Sequence, residues 1–260
     1  LKYCLMAFSL SVVPFASTYA ADCVHKVGGL APLSAPGSVT GGEAMREAML
    51  LAERDVNAAG GVLGCDLEVV ITDTEGLPEK ATAMMEKLIT QDGVVAVGGG
   101  YHSSVGVASK DVADARGIPV VFAETWNDTI TGDKQKYIFR IAPLSSWASG
   151  VIWQFAAQAP GVKKVAIVTE NTDYGIPAAK ECEVGLGTKG ISSVTFGVDI
   201  GTQDFASIVE RVKAENPDYL IVLLTVEASY NFTEQAADAG TSPQDIMFHA
   251  NQAGLESKAW

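Results

Sequence analysis

Residues 203–224 have the sequence QDFASIVERVKAENPDYLIVLL, which places an amphipathic segment directly before an almost entirely apolar one. Four apolar side chains of the first segment recur on one side of a helix predicted at 205–214: Phe205, Ile208, Val209 and Val212. YLIVLL at 219–224 is typical of a strand buried on both faces of a parallel sheet. The stretch therefore predicts one α/β unit of a helix-covered parallel sheet.

Helices and strands alternate in the same way along the chain on both sides of this unit. Helices are predicted at residues 42–59, from Pro78 onward, up to Gly117, and at 147–158, 177–186 and 228–239. Strands are predicted at residues 24–30, 66–72, 94–97, 118–122, 137–143, 164–168, 194–198 and 246–248. This alternation predicts an α/β fold of parallel sheets covered by helices.

The pattern restarts near Pro143, which divides the chain into two Rossmann-like lobes with a hinge between them. We expect a first α/β lobe at residues 22–143, a second at 144–248, and the start of a return crossover to the first lobe at 249–260. Only twelve residues follow Phe248, so the second lobe is short of one or two elements. We therefore expect the C-terminal part of this fold to be truncated in the chain.

Residues 1–21 have the pattern of a secretory signal peptide. Lys2 is followed by an apolar stretch, Leu5–Phe15, and then by small residues at Ala16, Ser17, Ala20 and Ala21. The alternative is a short buried helix or strand at the start of the fold. The signal reading predicts cleavage near Ala20 or Ala21. Asp22 before Cys23 fits a lipoprotein signal poorly, so we expect a soluble periplasmic protein without membrane insertion.

The charge balance narrows the possible partners. The chain has 18 Lys and Arg against 31 Asp and Glu, a net charge of −13, while 48% of its residues are hydrophobic. Phosphate-backbone binding needs clustered Lys and Arg, so nucleic acid is not an expected partner. Docking on anionic lipid is disfavoured for the same reason. The hydrophobic fraction is that of an ordinary globular protein. As the default assembly state, we expect a monomer.

Two of the four cysteines precede neighbouring predicted strands. Cys23 precedes the strand at 24–30, and Cys65 precedes the strand at 66–72. If these strands are neighbours in a parallel sheet, both thiols lie at the same height, and export permits a disulfide. We predict a Cys23–Cys65 bond, the alternative being two unpaired thiols. Cys4 leaves with the signal peptide, and Cys182 is expected to be free on a helix.

The loop GGGYHSS at 98–104 follows a predicted strand, at the edge where parallel α/β folds bind ligands. Three glycines allow a ligand to approach the backbone, and Ser103 and Ser104 open a helix whose free N–H groups favour an anion. The alternative is a plain Ser N-cap after a tight turn. The spacing is not that of a dinucleotide fingerprint, and the sequence contains no P-loop, so no cofactor is expected.

Two further loops carry unlike polar and aromatic groups after predicted strands. AETWNDT supplies Glu124, Thr125 and Trp126, which suit a ligand wall and directed hydrogen bonds; the alternative is a surface turn at Asn127 and Asp128. NTDYG supplies Tyr174, either as a ligand lid or as a residue packed between lobes.

No catalytic or metal motif accompanies these loops. His102 and His249 lie without a Ser–His–Asp order or a GxSxG elbow, so they are interpreted as structural histidines. No CxxC, HExxH or paired His/Cys spacing suggests a zinc site. The sequence therefore predicts neither an enzyme nor a metalloprotein.

Several segments, in order, resemble the periplasmic binding proteins of the leucine/isoleucine/valine type. They are KVGGLAPLSAPG, AERDVNAAGGVLGCDLEVVITDTEG and GGGYHSSVGVASKDVADARGIPVVF in the first lobe, and VAIVTENTDYG, QDFASIVERVKAENPDYLIVLL and EQAADAG in the second. The resemblance runs from about Lys26 to Asp245. It implies the type I periplasmic binding protein fold, with two lobes joined by three crossovers that close on a ligand.

The resemblance also implies roles for individual residues. Ser103 matches the serine that binds an amino-acid carboxylate, and Glu124 and Trp126 fall in the loop that shares that carboxylate. Tyr174 matches a tyrosine that covers the ligand from the second lobe, and Thr225 stands where relatives have another tyrosine. His102, Ser104 and Thr125 are included with this set as candidate ligand-binding residues.

Departures from the family pattern concern the partner of the ligand's ammonium group. Relatives place a glutamate near Asn251, and this chain has no acidic residue there, although an insertion near Ser242–Gln244 makes the register ambiguous. A buried ammonium without a carboxylate would be poorly compensated. Glu227 could substitute as that partner. We therefore expect an amino acid, an amide or a related carboxylate as ligand, and not necessarily a branched-chain amino acid.

The sequence thus predicts an extracytoplasmic solute-binding protein that delivers a small polar ligand to the permease of an ABC transporter. The alternative is a ligand-sensing receptor domain of the same fold.

Overall fold

The computed structural model describes residues 23–241 and 246–250. The expectations for the signal peptide, the insertion near Ser242–Gln244, Asn251 and the return crossover therefore lie outside the described residues. The described part forms two parallel sheets, as the alternating pattern predicts, and the α/β fold with two lobes is confirmed.

The first lobe is a five-stranded sheet of order β2-β1-β3-β4-β5. Its strands are β1 Val24–Ala31, β2 Asp66–Asp73, β3 Ala96–Gly99, β4 Val120–Phe122 and β5 Ile138–Arg140. Its helices are α1 Val39–Ala58, α2 Pro78–Lys87, which continues as a π-helical turn at Leu88–Asp92, α3 Ser103–Arg116 and the short α4 Thr129–Gly132. All neighbouring strands pair in parallel, so their carboxyl ends share one edge.

The second lobe is a four-stranded sheet of order β7-β6-β8-β9. Its strands are β6 Lys164–Glu170, β7 Ser192–Val198, β8 Tyr219–Leu223 and β9 Met247–Ala250. Its helices are α5 Ser145–Gln158, α6 Gly175–Gly187, α7 Ala206–Glu215 and α8 Val226–Asp238. Residues 141–144 connect β5 of the first lobe to α5 of the second.

Helices cover both faces of the second sheet. Ala166 and Val168 of β6 pack with residues of α7 and α8, whereas Val165 and Ile167 pack with residues of α5 and α6. All five residues of β8 are buried, because helices cover both faces of the sheet there. This burial explains why the strand has apolar side chains on both faces.

The first sheet is covered unevenly. Its main core packs β1, β3, β4 and β5 against α2 and α3. On the opposite face α1 lies over β1 and β2. Gly98, Val121 and Phe139 are register neighbours on that second face, and Val121 and Phe139 are 42% and 51% exposed. The apolar face over β3 to β5 is therefore solvent-exposed.

Several boundaries differ from the sequence prediction; the strand predicted at 137–143, for example, is β5 Ile138–Arg140, and two further differences concern β3 and β9. The strand predicted at 94–97 runs over Ala96–Gly99, because Gly98 and Gly99 pair with β1 and β4 although they carry no apolar side chain. His249 was expected in a loop and instead lies on β9, paired with Ile221 of β8. Hydrophobic periodicity underestimates strands whose ends are glycine or polar residues.

Cys23 and Cys65 form a disulfide that ties the start of β1 to the start of β2. The two strands are parallel neighbours in full register, from Val24 opposite Asp66 to Ala31 opposite Asp73. Cys182 is a free, buried thiol on α6. Among the described residues, no helix combines the length and the apolar character needed to cross a membrane.

Candidate ligand-binding site

Loops from both lobes meet at one cavity beyond the carboxyl ends of the strands. Seven residues line it: Tyr101, His102, Ser103, Glu124, Trp126, Tyr174 and Thr225. The loops after β3 and β4 supply the first five, and the loops after β6 and β8 supply the last two. Parallel α/β sheets present ligand sites at this edge, so the cavity lies where the fold favours binding.

Six of the ten residues predicted to bind ligand lie on this cavity, and Tyr101 joins them unpredicted. Tyr101 was missed because an aromatic residue beside three glycines has no distinctive spacing. Its ring lies against α1, where a Cβ on Gly41 would come within 2.4 Å of it.

The cavity itself is small, about 20 Å³. That is close to the space for one water molecule. A ligand of amino-acid size therefore requires the two lobes to separate or the loops to move. Hydrogen bonds join the lobes beside the cavity, and we call this arrangement closed.

The glycines of the β3–α3 loop are required by the backbone and its packing. Gly99 and Gly100 have φ of 93° and 80°, a region that glycine adopts without strain. A Cβ on Gly99 would lie 2.6 Å from the carbonyl oxygen of Leu30, and one on Gly100 would lie 2.8 Å from the Phe122 ring. Contacts with Leu30 of β1 and Phe122 of β4 therefore explain why glycine is needed at these two positions. The close approach of a ligand, which the sequence predicts, is not needed as an explanation.

Ser103 is the first residue of α3, and His102 occupies the N-cap position. The plain Ser N-cap interpretation is therefore wrong. The Ser103 hydroxyl oxygen accepts hydrogen bonds from the backbone N–H groups of Trp126, at 3.0 Å, and Asn127, at 3.2 Å. Ser103 consequently holds the β4–α4 loop against the start of α3 while lining the cavity.

His102 is a buried, neutral wall of the cavity. Burial lowers its pKa to about 4, and Glu227 only partly opposes this effect. Its Nε2 accepts a hydrogen bond of 2.9 Å from the backbone N–H of Ser38, so the neutral ring carries its proton on Nδ1. His102 thus contributes no positive charge to the site near neutral pH.

Ser104 lies beside the cavity lining and bonds across the cleft. Its hydroxyl oxygen accepts from the backbone N–H of Asp173 in the second lobe, at 3.2 Å. The Asn127 side-chain amide donates to the Asp173 carbonyl oxygen at 2.7 Å. These two bonds fix the β6–α6 loop, which carries Tyr174, against the first lobe.

Arg140 holds the β4–α4 loop in place, a role that no sequence motif predicts. Its guanidinium donates to the carbonyl oxygens of Trp126, at 3.2 Å, and Asn127, at 3.0 Å, among other loop carbonyls. Thr125 belongs to the same loop, is fully buried and does not line the cavity. An arginine at a strand end has no local signal that would link it to a loop fifteen residues earlier.

Aromatic rings close the cavity from both lobes. The rings of Trp126 and Tyr174 meet edge to face, with centroids 6.2 Å apart. The Trp126 indole N–H donates to the Glu124 carboxylate at 3.0 Å. Glu124 therefore orients the indole, and the two rings form an apolar seam between the lobes.

Thr225 is oriented by a buried glutamate at the end of β6. One Glu170 oxygen accepts from both the N–H and the hydroxyl of Thr225, at 2.7 and 2.6 Å. Glu170 is 1% exposed, and burial raises its pKa, an effect that the bonds from Thr225 only partly offset. No sequence motif marks Glu170 as a site residue, because it ends an otherwise apolar strand.

Glu227 lies outside the cavity lining and faces a neighbouring groove of about 430 Å³. The groove lies between the loop before α1 and the β7–α7 loop, and Thr225 borders both spaces. Both carboxylate oxygens of Glu227 bond to the first lobe, to Ser38 and Thr40. This placement differs from the expected role as partner of a ligand ammonium in the cavity.

Within residues 23–241 and 246–250, no group of three or more His, Cys, Asp or Glu side chains is arranged to hold a metal ion. The cavity offers hydroxyl groups, the start of α3, a neutral imidazole, aromatic rings and the Glu124 carboxylate, which accepts a hydrogen bond from the Trp126 indole. This chemistry suits a small ligand with an anionic or polar end and an apolar body.

Comparisons with known proteins agree with this architecture. The model of the family described as periplasmic binding protein matches residues 25–258. The leucine-, isoleucine-, valine-, threonine- and alanine-binding protein of Pseudomonas aeruginosa is 30% identical over 207 residues, which are 79% of this chain and 55% of that protein. An amino acid binding protein of the same organism is 29% identical over 82% of this chain and 57% of its own length.

Solved structures show the same fold. The solute binding protein of an ABC transporter from Rhodopseudomonas palustris BisB5, in complex with 3,4-dihydroxybenzoic acid, superimposes with a TM-score of 0.77 and 25% identity, covering 86% of this chain and 61% of that one. The branched-chain amino acid transporter substrate binding protein from Streptococcus pneumoniae, in complex with isoleucine, has a TM-score of 0.73 and 25% identity, covering 84% and 62%. The chain thus spans about 55 to 62% of the length of these similar proteins.

Proposed function

This chain belongs to the periplasmic binding protein family, and from that premise we propose that it is an extracytoplasmic solute-binding protein serving an ABC importer. In this role it binds a small polar ligand between its lobes and presents it to the transporter permease. It binds its ligand without transforming it chemically.

One observation carries the proposal: residues from four loops of two lobes converge on a single cavity at the carboxyl ends of both sheets. The residues come from sequence segments more than a hundred positions apart, from Tyr101 to Thr225. Their meeting point is lined from both lobes, as expected for a site that binds a ligand between them.

The chemistry of the cavity favours a ligand with a carboxylate. The first turn of α3 places Ser103 on the cavity, and the N-terminus of a helix favours an anionic group. Tyr101, Trp126 and Tyr174 supply an apolar wall for the rest of the ligand. Similar proteins carry isoleucine or 3,4-dihydroxybenzoic acid, which are both small carboxylates with apolar bodies. We propose an amino acid or a related carboxylate or amide as the ligand class.

The proposal includes a location and an assembly state. Residues 1–21 act as a signal peptide cleaved near Ala20 or Ala21, and the mature protein is a periplasmic monomer. The Cys23–Cys65 disulfide supports export, since such bonds persist in oxidising compartments.

Thermal unfolding against a ligand panel tests the function. The panel contains aliphatic, polar and acidic amino acids, short amides, and aliphatic and aromatic carboxylates. A ligand at a hundredfold excess over its dissociation constant stabilises the protein by about 2.7 kcal/mol, which is measurable as a rise in Tm. We expect one chemical class of the panel to raise the Tm and the others to leave it unchanged.

The variant Ser103→Ala tests the site. Its loss leaves the N–H groups of Trp126 and Asn127 without their partner, so we expect about 1–3 kcal/mol lower stability and at least tenfold weaker binding. Ser192→Ala, at an exposed position at the start of β7, is the matched control and should bind as the wild type does. A cooperatively melting protein that responds to no panel compound, or a Ser103→Ala variant with unchanged affinity, would contradict the assignment.

A further inference from the structure

The lobes are joined across the cleft by a carboxylate that lies outside the ligand cavity. Glu227, in the first turn of α8 in the second lobe, accepts a hydrogen bond of 2.6 Å from the Ser38 hydroxyl. Its other oxygen accepts from the backbone N–H of Thr40, also at 2.6 Å. Ser38 is the N-cap of α1 in the first lobe, and Thr40 lies in the first turn of that helix.

Glu227 supplies the negative charge that α1 lacks. The N-terminus of a helix favours acidic side chains, yet the first turn of this 20-residue helix contains none. The partly buried carboxylate from the other lobe takes that place. Hydrogen bonds to an ionised acceptor are stronger than neutral ones, so this contact favours the closed arrangement.

The same contact is linked directly to the walls of the cavity. The Ser38 backbone N–H donates to Nε2 of His102, which lines the cavity from the first lobe. Thr225, the N-cap of α8, lines it from the second lobe, two residues before Glu227. Opening the lobes at α1 and α8 therefore moves groups on both sides of the ligand space.

A direct ligand role for Glu227 fits the geometry less well. The carboxylate faces the groove and not the cavity, and each of its oxygens already has a donor from the first lobe. We propose that Glu227 is a positioning residue for lobe closure, which holds α8 on the N-terminus of α1 and thereby sets the opening rate and the ligand affinity. Its effect on affinity rests on the proposed function, whereas its effect on closure does not.

The test compares Glu227→Ala and Glu227→Gln with Glu234→Ala, an exposed glutamate of the same helix. The side-chain amide of Gln can still accept from Thr40 and donate to Ser38, so this variant keeps the shape of the contact without its charge. Hydrogen exchange of the α1 first turn and the radius of gyration from solution scattering are measured without ligand. Ligand affinity and dissociation rate are then measured with whichever panel compound binds the wild type.

We expect Glu227→Ala to raise the exchange rate of the Thr40 amide and the radius of gyration, because the open form gains population. Ligand dissociation should quicken and affinity fall roughly tenfold, the effect of losing one charged hydrogen bond. Glu227→Gln should be intermediate, and Glu234→Ala should match the wild type. Circular dichroism that matches the wild type shows that the variants are folded.

Unchanged exchange at Thr40 and an unchanged radius of gyration in Glu227→Ala would overturn the proposal. Loss of all binding in both Glu227 variants, with the ligand-free radius unchanged, would instead assign Glu227 to direct ligand contact and also overturn it. Because closure is measured without ligand, a wild type that binds no panel compound contradicts the proposed function and leaves this test intact.

Discussion

At the scale of single residues, the site is built from polar groups that bond to the protein itself. Ser103 holds the β4–α4 loop, Ser104 holds the β6–α6 loop across the cleft, and Glu170 holds Thr225. Buried polar groups carry a large cost unless they are paired, so these bonds determine where the side chains can point. These side chains are thereby held in place within each loop, and this reduces the cost of ordering them on binding.

His102 makes the stability of the protein depend on pH. Its pKa falls from the ordinary 6.5 to about 4 in the folded protein, because burial disfavours the imidazolium. The unfolded chain therefore binds a proton first as the pH drops, and stability is lost between pH 6.5 and about 4. The difference amounts to about 3 kcal/mol below pH 4.

The variant His102→Gln removes this titration while its amide oxygen can still accept from Ser38. Chemical denaturation at a series of pH values should show a flatter stability profile between pH 6.5 and 4 than that of the wild type. His25, which lies at the partly buried start of β1, provides the control His25→Gln. Equal slopes in His102→Gln and the wild type would show that this histidine is not the source of the pH dependence.

At the scale of elements, the disulfide links the N-terminal ends of β1 and β2, two neighbouring strands of the first sheet. β1 pairs with both β2 and β3, so the disulfide is attached to the end of a strand that has a neighbour on each side. Cys23 and Cys65 are 42 positions apart, and the segment between them contains β1 and α1. Closing a loop of this length lowers the entropy of the unfolded chain.

We expect the double variant Cys23→Ala/Cys65→Ala to lose about 4 kcal/mol of stability, measured by denaturation. Cys182 does not complicate the measurement. It is fully buried, with its pKa raised to about 12 by burial, so thiol reagents should not modify it in the native protein. A stability difference below about 1 kcal/mol would mean that the pairing of β1 and β2 alone fixes this end of the sheet.

At the scale of the whole molecule, the part of the chain that the structure describes has two exposed apolar surfaces, one on α5 and one on the first sheet. Trp147, Val151 and Phe155 recur at every fourth position of α5 and are 65 to 70% exposed. The bare face of the first sheet adds Val121 and Phe139. Exposed apolar stripes of this kind bind hydrophobic dyes and promote association.

The double variant Trp147→Gln/Phe155→Gln should reduce the fluorescence of an added hydrophobic dye and lower the tendency to associate. Its stability should change by less than about 1 kcal/mol, since these side chains are exposed. Ile152→Gln on the buried side of the same helix is the contrasting change and should be strongly destabilising. Undiminished dye binding in the double variant would place the responsible surface elsewhere on the protein.

The sequence by itself determined the α/β class, the two lobes and the loops that carry the site. Apolar runs such as YLIVLL at β8 must be buried on both faces, and the site loops must follow the carboxyl ends of parallel strands. These features depend on local periodicity, which is visible in one dimension. Of the six candidate residues on the cavity, Ser103, Glu124, Trp126 and Tyr174 follow from these loops, whereas Thr225 was included because of the family resemblance.

Only the tertiary structure decided how the polar groups are used. Gly100 is required by the ring of Phe122, Arg140 secures a loop earlier in the chain, and Glu227 bonds to Ser38 at a separation of 189 residues. Such pairings depend on distances between elements that leave no mark on local spacing or composition. The physical reason is that a hydrogen-bonding group is satisfied by whichever partner the folded chain brings within about 3 Å, regardless of its position in the sequence.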